Sequence, residues 1–165
     1  METALFDKLI EKVRLKSEAT QIIIALEEYL ANSFAPPSHK IETPMNGIPE
    51  AAASILKESV MNEKHEVSTE TKRTILELEE KLRRAPVIQL TLAFQPDEDA
   101  ITEFADHVKK NLGTTTLMDL QYDKTIVAGA LLIANGRYKD YSVRKKLADR
   151  FQIQKDEIMK LVASE

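Results

Sequence analysis

The chain changes character once, close to residue 85. Up to that point its only glycine is Gly47 and its apolar residues recur at helical spacing, whereas every convincing strand pattern falls after Ala85. A helical first half followed by alternating and fully apolar runs constrains the fold to α+β: a helical region over residues 1–85, then a small α/β domain over 86–165 with a mixed sheet and a terminal helix. With 165 residues, 43% of them hydrophobic and 30% charged, the chain is long and apolar enough to bury a core in one ordinary domain or two small ones.

In the first half, Leu5, Phe6, Leu9, Ile10 and Val13 make one helical stripe, and Ile22, Ile23, Leu26 and Leu30 resume it after a polar stretch from Arg14 to Gln21. Periodicity alone leaves open one long helix or a hairpin of two. The polar turn favours a break, with Ser17 as a cap. Four of the six prolines crowd into a loop over 35–48 and its margin at Pro49. Helix resumes there through Ala52, Ile55, Leu56 and Val60, pauses over the polar residues 62–66, and restarts behind a Ser68 cap. The apolar face of that last helix, Ile75, Leu78 and Leu82, is narrow, which places it on the outside or bridging the halves.

The second half opens with a strand, Val87–Leu92, behind Pro86. Pro96 and the acidic Asp97, Glu98 and Asp99 suit the start of a helix, whose face is Ile101, Phe104, Ala105, Val108 and Leu112 and whose end is Gly113. The stretch 114–122 alternates as a half-buried strand does, and Asp123-Lys124-Thr125 reads as a turn. The run from Ile126 to Ala134 is apolar on both faces, so a central strand covered on both sides is expected. Asn135-Gly136 signals a tight hairpin leading into Arg137-Tyr138-Lys139 and ending at Asp140. A last helix capped by Ser142 would turn Val143, Leu147, Ala148 and Phe151 inward, with Ile158, Leu161 and Val162 as a short amphipathic tail.

Little in the chain resembles reaction chemistry. The absence of cysteine removes disulfides, thiolate metal sites and thiol nucleophiles, and suits a reducing cytoplasm. His39, His65 and His107 lie on unrelated segments without metal-ligand spacing, the acidic run 97–99 lacks a calcium-loop pattern, and no glycine-rich phosphate loop exists. No catalytic residue, metal ligand or cofactor is therefore expected. The longest apolar stretch, from Ile126 to Ala134, is too short for a spanning helix, and the Met1-Glu2-Thr3-Ala4 start lacks the features of a secretory signal. Arg144, Lys145, Lys146 and Arg150, with Arg137 and Lys139 nearby, make one basic patch. A net charge of −4 and few aromatics favour a solvated or protein-binding face over RNA.

One stretch carries a resemblance. From Asp123 through an apolar run containing Gly129, a turn, then Asp140-x-Ser142-x-Arg144-x-x-Leu147, the sequence resembles the delta subunit of F-type ATP synthases, the oligomycin sensitivity-conferring protein family. The likeness runs over residues 86–151. The first 85 residues show three or four helical segments where that family's N-terminal domain has six, and no head-binding residue carries over to them.

The resemblance implies a non-catalytic peripheral-stalk subunit on the cytoplasmic face of a bacterial membrane, without direct insertion. Its implied partners are the b-type stalk subunits and the alpha subunits of the catalytic head, with no nucleic acid. Asp123, Gly129, Asp140, Ser142, Arg144 and Leu147 would be structural motif residues. In their own right, Gly129 would admit a close backbone approach, Asp140 and Ser142 could accept hydrogen bonds at the helix start, and Arg144 could reach a carboxylate on Asp140 or Asp123. A helical adaptor of another complex, or a small RNA-binding α+β protein, would share the composition.

Overall fold

The structure, a computed structural model, describes residues 2–34, 43–61 and 67–162. Its elements are α1 (Glu2–Lys12), α2 (Lys16–Ser33), α3 (Glu50–Ser59), α4 (Thr69–Arg84), β1 (Val87–Leu92), α5 (Glu98–Leu112), β2 (Leu117–Tyr122), β3 (Ala130–Ala134), β4 (Arg137–Asp140) and α6 (Val143–Val162). The expected α+β class is thus observed. Most of the proline-rich loop, the 62–66 gap, His39 and His65 lie outside the described residues. Two compact units interleave in sequence, one of residues 1–87 with 98–119 and one of 88–97 with 120–165. Helix α5 therefore groups with the N-terminal helices, although it follows β1 in the chain.

The helical unit is built on a single core. Leu9, Ile10 and Val13 of the α1 segment meet Ile22, Leu26 and Tyr29 of α2, Leu56 of α3, and Ile75, Leu78 and Leu82 of α4, all buried. The narrow stripe of α4 is buried in full, with Ile75, Leu78 and Leu82 all inside the core. Ser68 caps the helix, its Oγ accepting from the Thr71 N–H at 3.0 Å. The break between α1 and α2 is present, and its cause lies far away in the chain. Leu15 forms a parallel bridge with Met118, and the Met118 N–H donates to the Arg14 carbonyl at 3.0 Å, so the backbone here is extended. The cap is not Ser17: with Leu15 at the N-cap, the Glu18 carboxylate accepts from the Arg14 N–H at 2.6 Å and the Leu15 N–H at 3.0 Å.

One ammonium on α5 caps the end of α1. Lys109 Nζ donates to the carbonyls of Ile10, Glu11 and Val13 at 2.8, 2.7 and 2.7 Å, groups that a helix end leaves without intrahelical partners. Burial pushes the Lys109 pKa down, against the attraction of Glu18, Glu11 and Asp106. Ala105 and Val108 of α5 are buried, and so are both Leu117 and Met118. The alternation expected along β2 fails at its start because these two residues belong to the helical unit, where the strand runs beside the α1–α2 turn.

The sheet is mixed, with strand order β2-β1-β3-β4. Strand β3 pairs antiparallel with β1, from Gln89 opposite Ile133 to Leu92 opposite Ala130, and with β4, from Leu131 opposite Asp140 to Ala134 opposite Arg137. Asn135 at φ 51° and Gly136 at φ 72° supply the two positive φ angles of the tight turn. Two expectations need correction. The run from Ile126 to Ala134 is not one covered strand: β3 starts only at Ala130, its residues are largely half-buried, and Val127 is 75% exposed. The inward face assigned to the last helix is exposed, and the anticipated short tail is part of α6 itself.

Candidate interaction surface

Three of the motif residues, Gly129, Asp140 and Ser142, meet where the hairpin hands over to α6. Gly129, at φ +101°, lies just before β3, where the chain passes tightly against the β4–α6 junction. An added Cβ would stand 2.5 Å from the Tyr141 carbonyl oxygen and 2.9 Å from Ser142 Cα. The approach is fixed on both sides of the glycine, since the Tyr141 N–H donates to Ala130 and the Val143 N–H to Ala128, each at 2.9 Å. The absent side chain lets two backbone segments bond like adjacent strands.

Asp140 and Ser142 then start the helix. The Asp140 Oδ1 accepts from the Ser142 N–H at 2.7 Å, and the buried Ser142 offers its Oγ to the Lys145 N–H at 3.3 Å. Asp123 organises the preceding turn, its Oδ1 accepting from the Thr125 N–H at 2.8 Å and the Thr125 hydroxyl at 2.7 Å. Arg144 is exposed; its charge contributes to the field at Asp140, while the ion pair on this turn joins Lys145 to Asp149 at 2.9 Å. Leu147 is exposed one turn further along. The structure thus brings Gly129, Asp140 and Ser142 together, with Asp123 holding the turn that precedes Gly129 in the chain and Leu147 lying further along α6.

Both carboxyls sit below the usual aspartate range. Bonds from the Thr125 hydroxyl and N–H hold Asp123 down, and bonds from Ser142 hold Asp140 down, with help from Lys145 and Arg144. A folded-state pKa below the unfolded value contributes stability that is complete above about pH 4 and is lost as pH falls through the folded value. Acid titration should therefore lower the protection factors of the Thr125 and Ser142 amides, observed exchange divided into its intrinsic rate at each pH, before those of other amides. Asp140→Asn should remove the acid-dependent part at Ser142; an unchanged profile there would sink the assignment.

Helix α6 supplies the surface. Every side chain described from Val143 to Lys155 is exposed, including Leu147 at 49% and Phe151 at 67%. Val143, Leu147 and Phe151 follow one another at intervals of four, which puts them on one face. Over the same stretch Arg144, Lys145, Lys146, Arg150 and Lys155 face only Asp149 in charge. Sequence reasoning marks both the stripe and the basic residues. Periodicity shows a face without showing what covers it.

His107 is exposed on α5, and Glu98 of the acidic run pairs with Arg14 at 3.2 Å. An open cleft on the helical unit, about 470 Å³, has Leu5 and Val60 among its lining with Lys8, Glu70 and Thr74; the Thr74 hydroxyl donates to the Glu70 carbonyl. Among the described residues, no three His, Cys, Asp or Glu side chains are grouped to hold a metal, and no helix is long and apolar enough to cross a membrane.

The junction is thus built from helix-starting bonds, and it leads into a helix whose described side chains are exposed. The family model for the ATP synthase delta (OSCP) subunit matches residues 3–151, which takes in the N-terminal helices as well as the hairpin and the first half of α6. The chain belongs to that family, and is by that membership a structural subunit of the ATP synthase peripheral stalk. No curated protein matches it.

Proposed function

We propose that the chain links the catalytic head of an F-type ATP synthase to its b-type stalk subunits, and that α6 is the face that takes the stalk. The observation that carries this reading is the exposed stripe of Val143, Leu147 and Phe151 with its basic flanks. An apolar helical stripe in water is a poor end state, and a second helix laid along it removes that area from solvent. A stripe flanked by five basic residues and one acidic residue fits a partner helix whose apolar face is bordered by Asp and Glu. The helical unit then faces the alpha subunits, and the assembly sits on the cytoplasmic face of a bacterial membrane without inserting. The role is mechanical: a stator holds the head against the turning shaft through buried contacts and catalyses nothing.

Native mass spectrometry of a tagged chain from its own solubilised membranes tests the reading. The unchanged chain should bring down alpha, beta and b-type subunits. The double variant Leu147→Ser, Phe151→Ser should keep its melting temperature, because both side chains are exposed, yet lose the b-type subunits. Undiminished recovery of b-type subunits would move the contact off α6. Recovery of the chain alone, with RNA, or with unrelated proteins would reject the stalk assignment in favour of an adaptor or RNA-binding role.

A further inference from the structure

The contacts that attach α5 and the start of β2 converge on one turn. Lys109 caps the carbonyls of Ile10, Glu11 and Val13. The Arg14 guanidinium reaches the Thr102 hydroxyl at 2.9 Å and the Glu98 carboxylate at 3.2 Å, while the Arg14 carbonyl accepts from the Met118 N–H. Lys16 Nζ meets the Asp119 carboxylate at 3.2 Å. Residues 10–16 thus grip the segment 98–119 near its first turn, in its middle and at its far end. Between these polar ties, Ala105, Val108, Leu117 and Met118 are buried. In the chain, however, the segment is inserted between the two stretches, 88–97 and 120–165, that make the other unit.

We infer that residues 98–119 are a strap locked to the α1–α2 turn, which opens with the N-terminal helices and stays closed when the strand-bearing unit opens. Local opening follows cooperative units defined by shared contacts and not by chain order. The strap's ammonium has three carbonyl partners at the end of α1, and losing it leaves three helix-end acceptors without that donor. This division holds whatever the stalk face binds.

Hydrogen exchange of the full-length chain, read by mass spectrometry, tests it. In the unchanged protein, amides of residues 101–112 should exchange at the rate of α1 and α2. In Gly129→Ala, which strains only the hairpin–helix junction, amides of 130–140 should speed up by about tenfold or more while those of 101–112 keep their rate. In Lys109→Met, the pattern should reverse: residues 101–112 and the last turn of α1 speed up by about tenfold, and 130–140 do not. Arg14→Ala repeats the second arm should Lys109→Met fail to fold. Acceleration of 101–112 together with β3 and β4 in Gly129→Ala, or of all segments alike in Lys109→Met, would overturn the strap.

Discussion

Gly129→Ala will destabilise the strand-bearing unit by about 3 kcal/mol or more, and Gly129→Val by at least as much, lowering the melting temperature of that unit by roughly 12–24 °C. Two costs act at once. At φ +101° an L side chain is strained whatever space it has. The Cβ would also stand 2.5 Å from the Tyr141 carbonyl oxygen, a backbone atom held by the bonds from Tyr141 to Ala130 and from Val143 to Ala128, so relief requires breaking the handover from β4 to α6. Gly136 separates the two costs. It has φ +72° and nothing within 4 Å of an added Cβ, so Gly136→Ala should show only the backbone strain, about 1 kcal/mol. Equal losses at the two glycines, measured by thermal unfolding, would remove the close approach as the explanation.

How far the sequence reveals this junction depends on the reach of each signal. Asn135-Gly136 encodes its turn in two adjacent residues, and Ser142 with Asp140 encodes a helix start in three, so both are legible without any knowledge of the rest. The tolerance of Gly129 for a close neighbour is legible too, but not the identity of that neighbour, since Tyr141 and Ser142 approach only after the hairpin has closed. Ser17 and Glu18 are adjacent polar residues near a helix start, and which one caps depends on where α2 begins. That is set by the pairing of Leu15 with Met118, which no local pattern contains. Lys109 sits beside Lys110 in the last turn of α5, where two lysines read as solvated; only the arrival of the carbonyls from the end of α1 distinguishes the first from the second.

The same distinction explains the error at α6. A stripe such as Val143, Leu147 and Phe151 is the pattern of a helix that has something to pack against, and a sequence read alone supplies that surface from its own chain. Here the described side chains of the helix are exposed, so the periodicity gives the right period and the wrong partner. In a stalk subunit that outcome has a physical sense. A helix that had already buried its stripe in its own core would have no apolar area left with which to hold a neighbour under lateral load.

Glu18→Ala should be the most damaging single change at the α1–α2 turn, at about 3 kcal/mol. Glu18 is only 7% exposed, and one carboxylate does three things: it accepts from the Arg14 and Leu15 N–H groups and pairs with the Arg14 guanidinium at 3.0 Å. Its removal leaves two backbone donors at the start of α2 unpaired and deprives Arg14 of its buried partner, leaving the far more exposed Glu98. Glu18→Gln keeps an acceptor for the backbone and loses the charge, so it should cost about 1 kcal/mol, the difference between a charged and a neutral acceptor. Arg14→Ala should fall between them, because Glu18 retains both backbone bonds while the tie to Thr102 and Glu98 is lost. A ranking of Glu18→Ala, then Arg14→Ala, then Glu18→Gln from most to least damaging, read from denaturant midpoints at constant slope, identifies the carboxylate's backbone bonds as the larger share. Were Arg14→Ala the worst of the three, the ion pair would dominate instead.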